Sequence, residues 1–502
     1  MAYLSRTSAA VQPFRPRPLV FLIAFLALAT GAVVFKFGPM LCLMALAAVV
    51  LLLISFAKPE VATLIVLFVL YANLSVVAFR FHNVPEVVAS SVFLLLGIPL
   101  GAYVIIRRSP LIFDAVFGLM SIYLVLLLAS AMFARQPADS LDDIVRYVLE
   151  GMALYFLIVN TVRSRKLLRQ ALWTLLLAGV FMGSLSVYQE LTKTYHKSYG
   201  GLAQMQATEM KTGDVADNTE ETRGRLAGPI GETNRYAQIM VVLLPFGIVL
   251  MFLEKHPKMK FAVAACCLPI LWAVLLTFSR SAGVALIFLF VLVLACGYVR
   301  LRHAVLVGAA GLIFIVIAAP VFLHRFATLT TMTQLQSSST AVGAESSIRN
   351  RATLYLATLR IFADHPLLGV GPGQTRLYIP RYAEDTGFVR IDKTKRAHDM
   401  YLETLSDVGI VGFLGFMLVV ATILLKLLRV RRELLERDLQ YVHIVTALIM
   451  AISLYLLTAL FLQLSYQRYY WILLALAGAA IHLRPLPPAD RRIQVEASAK
   501  LL

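Results

Sequence analysis

Residues 409–428 read GIVGFLGFMLVVATILLKLL, and Lys426 is the one charge among them. About 20 mostly apolar residues are what a helix needs to cross the hydrocarbon core of a bilayer. The same signal recurs along the chain, near 19–35, 38–56, 61–79, 86–106, 110–133, 144–162, 167–190, 234–253, 260–278, 281–299, 302–323, 440–464 and 468–483. Of the 502 residues 60% are hydrophobic and 15% charged, with a mean hydropathy of +0.79. Soluble domains carry about 25% charged residues, and a composition this apolar would overfill a soluble core. In lipid each segment must satisfy its own backbone, so each span is a helix. The expected fold class is an all-α integral membrane protein, a polytopic bundle of about 12–14 transmembrane helices. The first apolar run is long and is followed by Lys36 without a small-residue cleavage site, so it reads as a span and not a cleaved signal.

The formal charge of +18 does not point to nucleic acid, because of where the charge lies. Lys and Arg gather at nearly every second connection: Arg15 to Arg17, Arg107-Arg108, Arg163 to Arg169, Lys255 to Lys260, Arg300 to His303 and Arg429 to Arg437. The loops between are less basic and carry Glu86, Asp139, Asp142 and Asp143. This alternation is the positive-inside pattern, from which long loops are exempt. It places both termini in the cytoplasm and the long loops 191–233 and 324–408 on the opposite face. The expected organisation is a transmembrane body over 1–323, a large outer loop over 324–408, C-terminal transmembrane helices over 409–483 and a cytoplasmic tail over 484–502. Inner segments of about 10–20 residues are far below domain size, so no cytoplasmic nucleotide-binding domain is expected.

Loop 191–233 is polar, with an acidic run through Asp214, Asp217, Glu220 and Glu221, and it ends in Arg223-Gly-Arg225 and a Gly-rich turn. Guanidinium forks at such a turn suit phosphate oxygens, which they bind in pairs; a solvated loop end is the plainer reading. In loop 324–408, residues 348–363 read as an amphipathic helix with Ile348, Ala352, Tyr355, Leu359 and Phe362 on its apolar face. Ser346 or Ser347 would cap it, and Pro366 would end it. Eleven residues, about three turns, separate Arg349 from Arg360, which puts both on one side. The run Gly369-Val-Gly371-Pro-Gly373 lacks the ending of a P-loop and reads as a tight turn. A second short helix is expected from near Lys395 through His398, Tyr401 and Glu403 to Gly409.

Ser279-Arg280-Ser281 joins two spans too tightly for a free loop, and an arginine there is expected to point into an aqueous pocket more than into lipid. His398 has the side chain whose ordinary titration lies nearest neutrality, which suits a general base; Asp399 and Glu403 are neighbours able to orient it. Arg146 and Glu150 read as an internal ion pair, and Arg468 as an interfacial anchor or a pocket residue. Cys42, Cys266, Cys267 and Cys296 all fall in expected spans and offer neither a disulfide framework nor metal spacing. No metal-ligand motif stands in the outer loops.

These segments together resemble the O-antigen ligase and polymerase superfamily of bacterial envelope proteins. The stretches that carry the resemblance are Arg225-Leu-Ala-Gly-Pro-Ile-Gly-Glu-Thr-Asn234, Thr277-Phe-Ser-Arg280-Ser-Ala-Gly283, Arg351 through Asp364-His365-Pro366-Leu-Leu-Gly-Val-Gly371, and His398-Asp-Met-Tyr401-Leu-Glu-Thr-Leu-Ser-Asp407-Val-Gly409. The resemblance covers roughly residues 220–420. It implies a GT-C-like helical membrane fold with a large helical periplasmic loop, in the bacterial inner membrane. It also implies a metal-independent, inverting glycosyltransferase without a cofactor. The donor would be a glycan on undecaprenyl diphosphate, and the acceptor lipid A–core, a second lipid-linked glycan or a protein. Carried over by motif, the catalytic residues are His398, Arg280 and Arg225, with Arg223, Arg349, Arg351, Tyr401 and Asp399 toward the substrate. The loop-helix arginine is either Arg349 or Arg351. One departure is Asp399, where the family often has Asn, and it bears on how the histidine ring is oriented. Tyr378, Tyr382 and Tyr401 either line a sugar surface or pack the loop. The competing reading is a lipid-linked glycan flippase, but transporters place charge near the midplane, often between inverted repeats. Here the candidate charges gather at one face, and no repeat is evident. A structural scaffold would leave the outer arginines unexplained.

Overall fold

The computed structural model of the chain describes residues 58–206, 224–318, 339–384, 396–463 and 467–484, with isolated positions between 46 and 54. In chain order the helices are α1 (Pro59–Tyr71), α2 (Leu74–His82), α3 (Glu86–Ile106), α4 (Ala115–Ala131), α5 (Pro137–Thr161) and α6 (Arg165–Leu191). After a small antiparallel pair, β1 (Gln204–Gln206) and β2 (Arg225–Gly228), come α7 (Thr233–Leu253), α8 (Pro257–Leu276), α9 (Arg280–Ala295) and α10 (Leu301–Ala318). Then follow α11 (Ser339–Asp364), α12 (Thr375–Glu384), α13 (Met400–Leu434), α14 (Leu439–Phe461) and α15 (Gln467–His482).

The chain is an all-α polytopic membrane protein. Seven helices among the described residues are long and apolar enough to cross a membrane, or eight if the pair α1–α2, bent by 54°, is counted as one span. Shorter apolar helices include α4 and α9. Each expected span from 86–106 onward has its helix, and 61–79 is covered by the bent pair α1–α2; 19–35 and Cys42 lie outside the described residues, and 38–56 is described only at isolated positions. Side-chain caps set several starts: Asp114 accepts from the Phe117 N–H (2.7 Å), Ser164 from Leu167 (3.1 Å) and Asp438 from Tyr441 (3.1 Å).

Helix α15 is central. From Tyr469 to Ala477 no residue is more than 1% exposed, and α5, α13 and α14 pack around it. α6 lies along α1 and α8, α7 between α8 and α14, and α13 along α4. Several of the basic connections form ion pairs, with Arg107 on Glu60 (2.7 Å), Arg165 on Asp438 (2.6 Å) and Arg169 on Glu254.

The decisive irregularity is Gly409. At φ 65° and ψ −174° it breaks the helical path inside α13. An unbroken helix would bond Ile410 N–H to Ser406 C=O and Val411 N–H to Asp407 C=O. Here all four groups turn to residues 366–371 instead. Ile410 donates to Pro366 (2.8 Å) and Val411 to Leu367 (3.3 Å), while Val370 donates to Ser406 (3.1 Å) and Gly371 to Asp407 (2.8 Å). The approach is so close that a Cβ on Gly409 would stand 2.2 Å from the Leu367 carbonyl oxygen, and one on Gly369 2.4 Å from that of Asp407.

The same turn rests on the α4–α5 connection. Gln374 and the Gln136 backbone exchange two hydrogen bonds (2.9 and 3.1 Å), Ser140 donates to Pro372 C=O (2.8 Å), and Arg376 pairs with Asp139 (2.7 Å). Above it α11 and α12 enclose a small core of Leu354, Ala357, Ile361, Val370, Ile379 and Ala383, on which Tyr378 and Tyr382 pack.

Some expectations change. α11 begins at Ser339, so Ser346 and Ser347 lie inside it and do not cap it. Its buried stripe is Leu354, Ala357 and Ile361, while Leu359 is 43% exposed. The stripe faces the α12 core, and Arg360 points to solvent. The helix expected from near Lys395, itself outside the described residues, begins at Met400, where Asp399 caps it. Arg146 pairs with Asp143 (3.1 Å), and Glu150 with the buried Arg468 (3.8 Å), because α15 carries Arg468 into the bundle. Cys266, Cys267 and Cys296 are free thiols.

Gly409→Ala puts a side chain into a left-handed backbone against a fixed carbonyl. It is expected to cost about 2 kcal/mol or more, read as a fall in thermal unfolding temperature in detergent. Gly118→Ala, in α4 with no atom within 4 Å of the added Cβ, is the control expected to leave stability unchanged or slightly raised.

Candidate functional site

At one end of the bundle several connecting segments converge on the start of α13. The Asp399 carboxylate accepts from the N–H groups of Tyr401 (2.8 Å) and Leu402 (2.9 Å), a side-chain cap. Burial raises the Asp399 pKa, and those two N–H groups oppose the rise. His398 stands just before the cap, at φ 58°. Ala397, Asp399 and Met400 are buried, and His398 between them is partly exposed. A left-handed backbone is uncommon in a residue with a side chain and is kept where the surroundings enforce it. Asn and Asp cap about equally well, so Asp399 serves this position as Asn would. Tyr401 commits its hydroxyl to Leu456 C=O (2.8 Å).

The arginines arrive on three other elements. Arg225, at the start of β2, donates from Nε to the Thr277 carbonyl (2.8 Å) and from Nη2 to Asn234 Oδ1 (3.0 Å). Thr277 opens the turn into α9. Phe278 is buried there at φ 49°, and the Ser279 and Ser281 hydroxyls meet at 2.9 Å. Arg280 is the first residue of α9, three beyond the carbonyl that Arg225 holds. It is half-buried and within electrostatic reach of Arg351 on α11. One turn along α11, Tyr355 donates to Leu460 C=O (3.0 Å). Its hydroxyl pKa is raised by burial and then by the charge of Asp399, with Arg351 opposing.

The structure thus connects Arg225, Arg280, Arg351, Tyr355 and Asp399, next to His398. Arg351 is the loop-helix arginine that reaches Arg280. The side chain of Arg349 and all of Arg223 lie outside the described residues. Two like charges held together in a half-buried setting repel, and an anion between them reverses the sign of that interaction.

A second group of charges adjoins the histidine on the other elements. Arg396 pairs with Glu403 (3.4 Å). Burial works against the Arg396 charge, but Glu403, Asp143 and Asp407 outweigh it and raise its pKa. Asp407 accepts from the N–H groups of Gly373 (3.0 Å) and Thr375 (2.9 Å) and from the Thr375 hydroxyl (2.6 Å). The N–H groups of Gly373 and Thr375 in the Gly-rich turn are therefore already taken by a carboxylate of the chain itself. Sequence reasoning gave Arg235, Arg396 and Asp407 no role of their own. Arg235 is 1% exposed and donates to Gln238 (2.9 Å) and to Gln463 C=O. The available signal was charge next to long apolar runs, which marks a residue for attention.

Asp399→Ala is expected to lose about 1 kcal/mol of stability, and Asp399→Asn to stay near wild type; thermal unfolding of the purified variants in detergent distinguishes the two.

The family model described as O-antigen ligase matches residues 262–417. That segment contains Arg280, Arg351, the turn at 366–371, His398 and Gly409, and leaves out Arg225. A search among curated proteins finds no match to the chain. Within this polytopic helical fold, residues 262–417 are thus similar to the O-antigen ligase family.

Proposed function

We propose that the protein is a membrane glycosyltransferase of the O-antigen ligase/polymerase type. It moves an oligo- or polysaccharide from undecaprenyl diphosphate to an acceptor hydroxyl on lipid A–core or on a second lipid-linked glycan. The observation that carries this reading is the convergence of Arg225, Arg280 and Arg351 beside a partly exposed His398, three of the four within the matched segment.

In the step itself the acceptor hydroxyl gives its proton to His398, and its oxygen bonds to the anomeric carbon. The bond from that carbon to the diphosphate breaks, and its electron pair leaves on undecaprenyl diphosphate. Attack opposite the leaving group inverts the anomeric centre. Arg280 and Arg351, with Arg225 behind them, meet the charge that grows on the diphosphate, and fixed charge of this kind is usually a large catalytic term. The arginines take the part that a divalent cation plays elsewhere, so no metal is required. The positive-inside distribution supports a site on the periplasmic face of the bacterial inner membrane with both termini in the cytoplasm.

Purified protein with lipid-linked oligosaccharide and lipid A–core tests this. His398→Asn, which keeps a residue at ease in the left-handed region, is expected to lower transfer roughly 10²–10⁴-fold. Arg280→Lys is expected to lose roughly 10²-fold with folding intact. Full activity in the histidine variant removes the base. Transfer is expected to continue unchanged in EDTA, and its loss on chelation would end the metal-independent scheme.

A further inference from the structure

Helix α14 is buried on every side but one. Between Tyr441 and Leu460 the residues that are not buried are His443, Ile449, Ser453, Leu456, Leu457 and Leu460. At about 3.6 residues per turn the last five share one face. They form a seam that is apolar except for the Ser453 hydroxyl. From Ile449 to Leu460 it runs for about 16 Å at 1.5 Å per residue. The hydrocarbon core of a bilayer is about 30 Å thick, so the seam is as long as one leaflet is deep.

The neighbours of α14 show which way the seam opens. α7, α9, α13 and α15 pack on it, while α9 also packs on α7, and α13 on α15. Among the described residues the open side is therefore the interval between α9 and α13. At the Ile449 end both flanks are stitched to α14. Tyr298, just beyond α9, meets His443 Nδ1 (2.9 Å), and Arg431 of α13 donates to the Thr446 hydroxyl (3.1 Å). At the Leu460 end the Leu460 carbonyl takes the Tyr355 hydroxyl (3.0 Å), and that of Leu456 takes the Tyr401 hydroxyl (2.8 Å). Arg351 lies one turn before Tyr355, and Arg280 is the first residue of the flanking α9.

An apolar seam one leaflet long thus ends beneath two guanidinium groups that repel each other until an anion sits between them. A ligand that fits both parts has an apolar chain and a compact, strongly anionic head. The seam is one helix face wide, which suits a single chain better than the paired chains of a phospholipid. Two arginine forks match the oxygens of a diphosphate better than a single phosphodiester.

On the functional reading above, we infer that the seam on α14 between α9 and α13 holds the polyprenyl chain of the donor, with its diphosphate at Arg280 and Arg351.

The test uses full-length protein in detergent with lipid-linked donor and lipid A–core acceptor. Ser453→Trp fills the seam from its floor and is expected to raise the donor KM roughly 10-fold, with acceptor KM and thermal unfolding unchanged. Leu457→Trp is a second obstruction, expected to act in the same direction. Ile122→Trp, on α4 and 58% exposed outside the seam, is expected to change nothing. By native mass spectrometry the wild type is expected to retain undecaprenyl diphosphate roughly 10-fold better than phosphatidylglycerol, and both seam variants to lose that preference. An unchanged donor KM in both folded seam variants, or a rise in acceptor KM alone, overturns the assignment. If the wild type transfers nothing, the functional reading falls, and lipid retention alone decides the seam. A preference lost in Ser453→Trp and Leu457→Trp keeps a polyprenyl diphosphate site. Equal retention of the two lipids by the wild type, or a preference that survives both substitutions, removes it.

Discussion

Two broken helical hydrogen bonds organise this end of the protein. Gly409 leaves the carbonyls of Ser406 and Asp407 and the N–H groups of Ile410 and Val411 without their partners along α13, and residues 366–371 supply all four. Unpaired backbone is costly wherever water is scarce, so the turn and the helix hold each other in one register. That register places Asp407 under the N–H groups of Gly373 and Thr375, and sets the first two turns of α13 with the Asp399 cap at their tip. His398 takes its position from the cap. The end that carries the candidate site is thus specified by backbone pairing more than by side-chain packing.

From this register follows a division of charge. β2, α9 and α11 carry arginines to one group, tied together through the Thr277 carbonyl, while α5 and α13 carry carboxylates to another around Arg396. Beneath the carboxylates lies a cluster of Tyr123, Tyr147, Phe416, Tyr470 and Trp471 in ring contact. These rings fill the centre of the bundle, and they give the charged end a firm floor.

The helical membrane body was legible in the sequence because span length and hydropathy are set by the bilayer and not by tertiary detail. The arginines of the candidate site could be marked as well, because charge beside long apolar runs has few structural excuses. What could not be read was pairing. Arg146 and Glu150 have the spacing of an intrahelical pair, yet Asp143 and Arg468 take them, since the partner from α15 is remote in sequence. The glycines at 369 and 409 could be marked as turn and span boundary, but their mutual fit is a fact of two segments meeting. The stripe of α11 was misjudged by its neighbours for the same reason: its burial is dictated by α12, a helix with Pro380 inside it that periodicity does not announce.

The patch over Gly409 also bears on the order in which the molecule is assembled. Residues 366–371 precede α13 in the chain, so the segment that supplies the four bonds is synthesised before the break that requires them. When α13 arrives, its discontinuity has a waiting template and need not pass through a state exposed to lipid. A chain with the same two segments in the opposite order would insert the break first and wait for its cover. The vectorial character of synthesis, from amino to carboxyl end, is in this sense part of what makes a non-helical step tolerable within a long apolar helix.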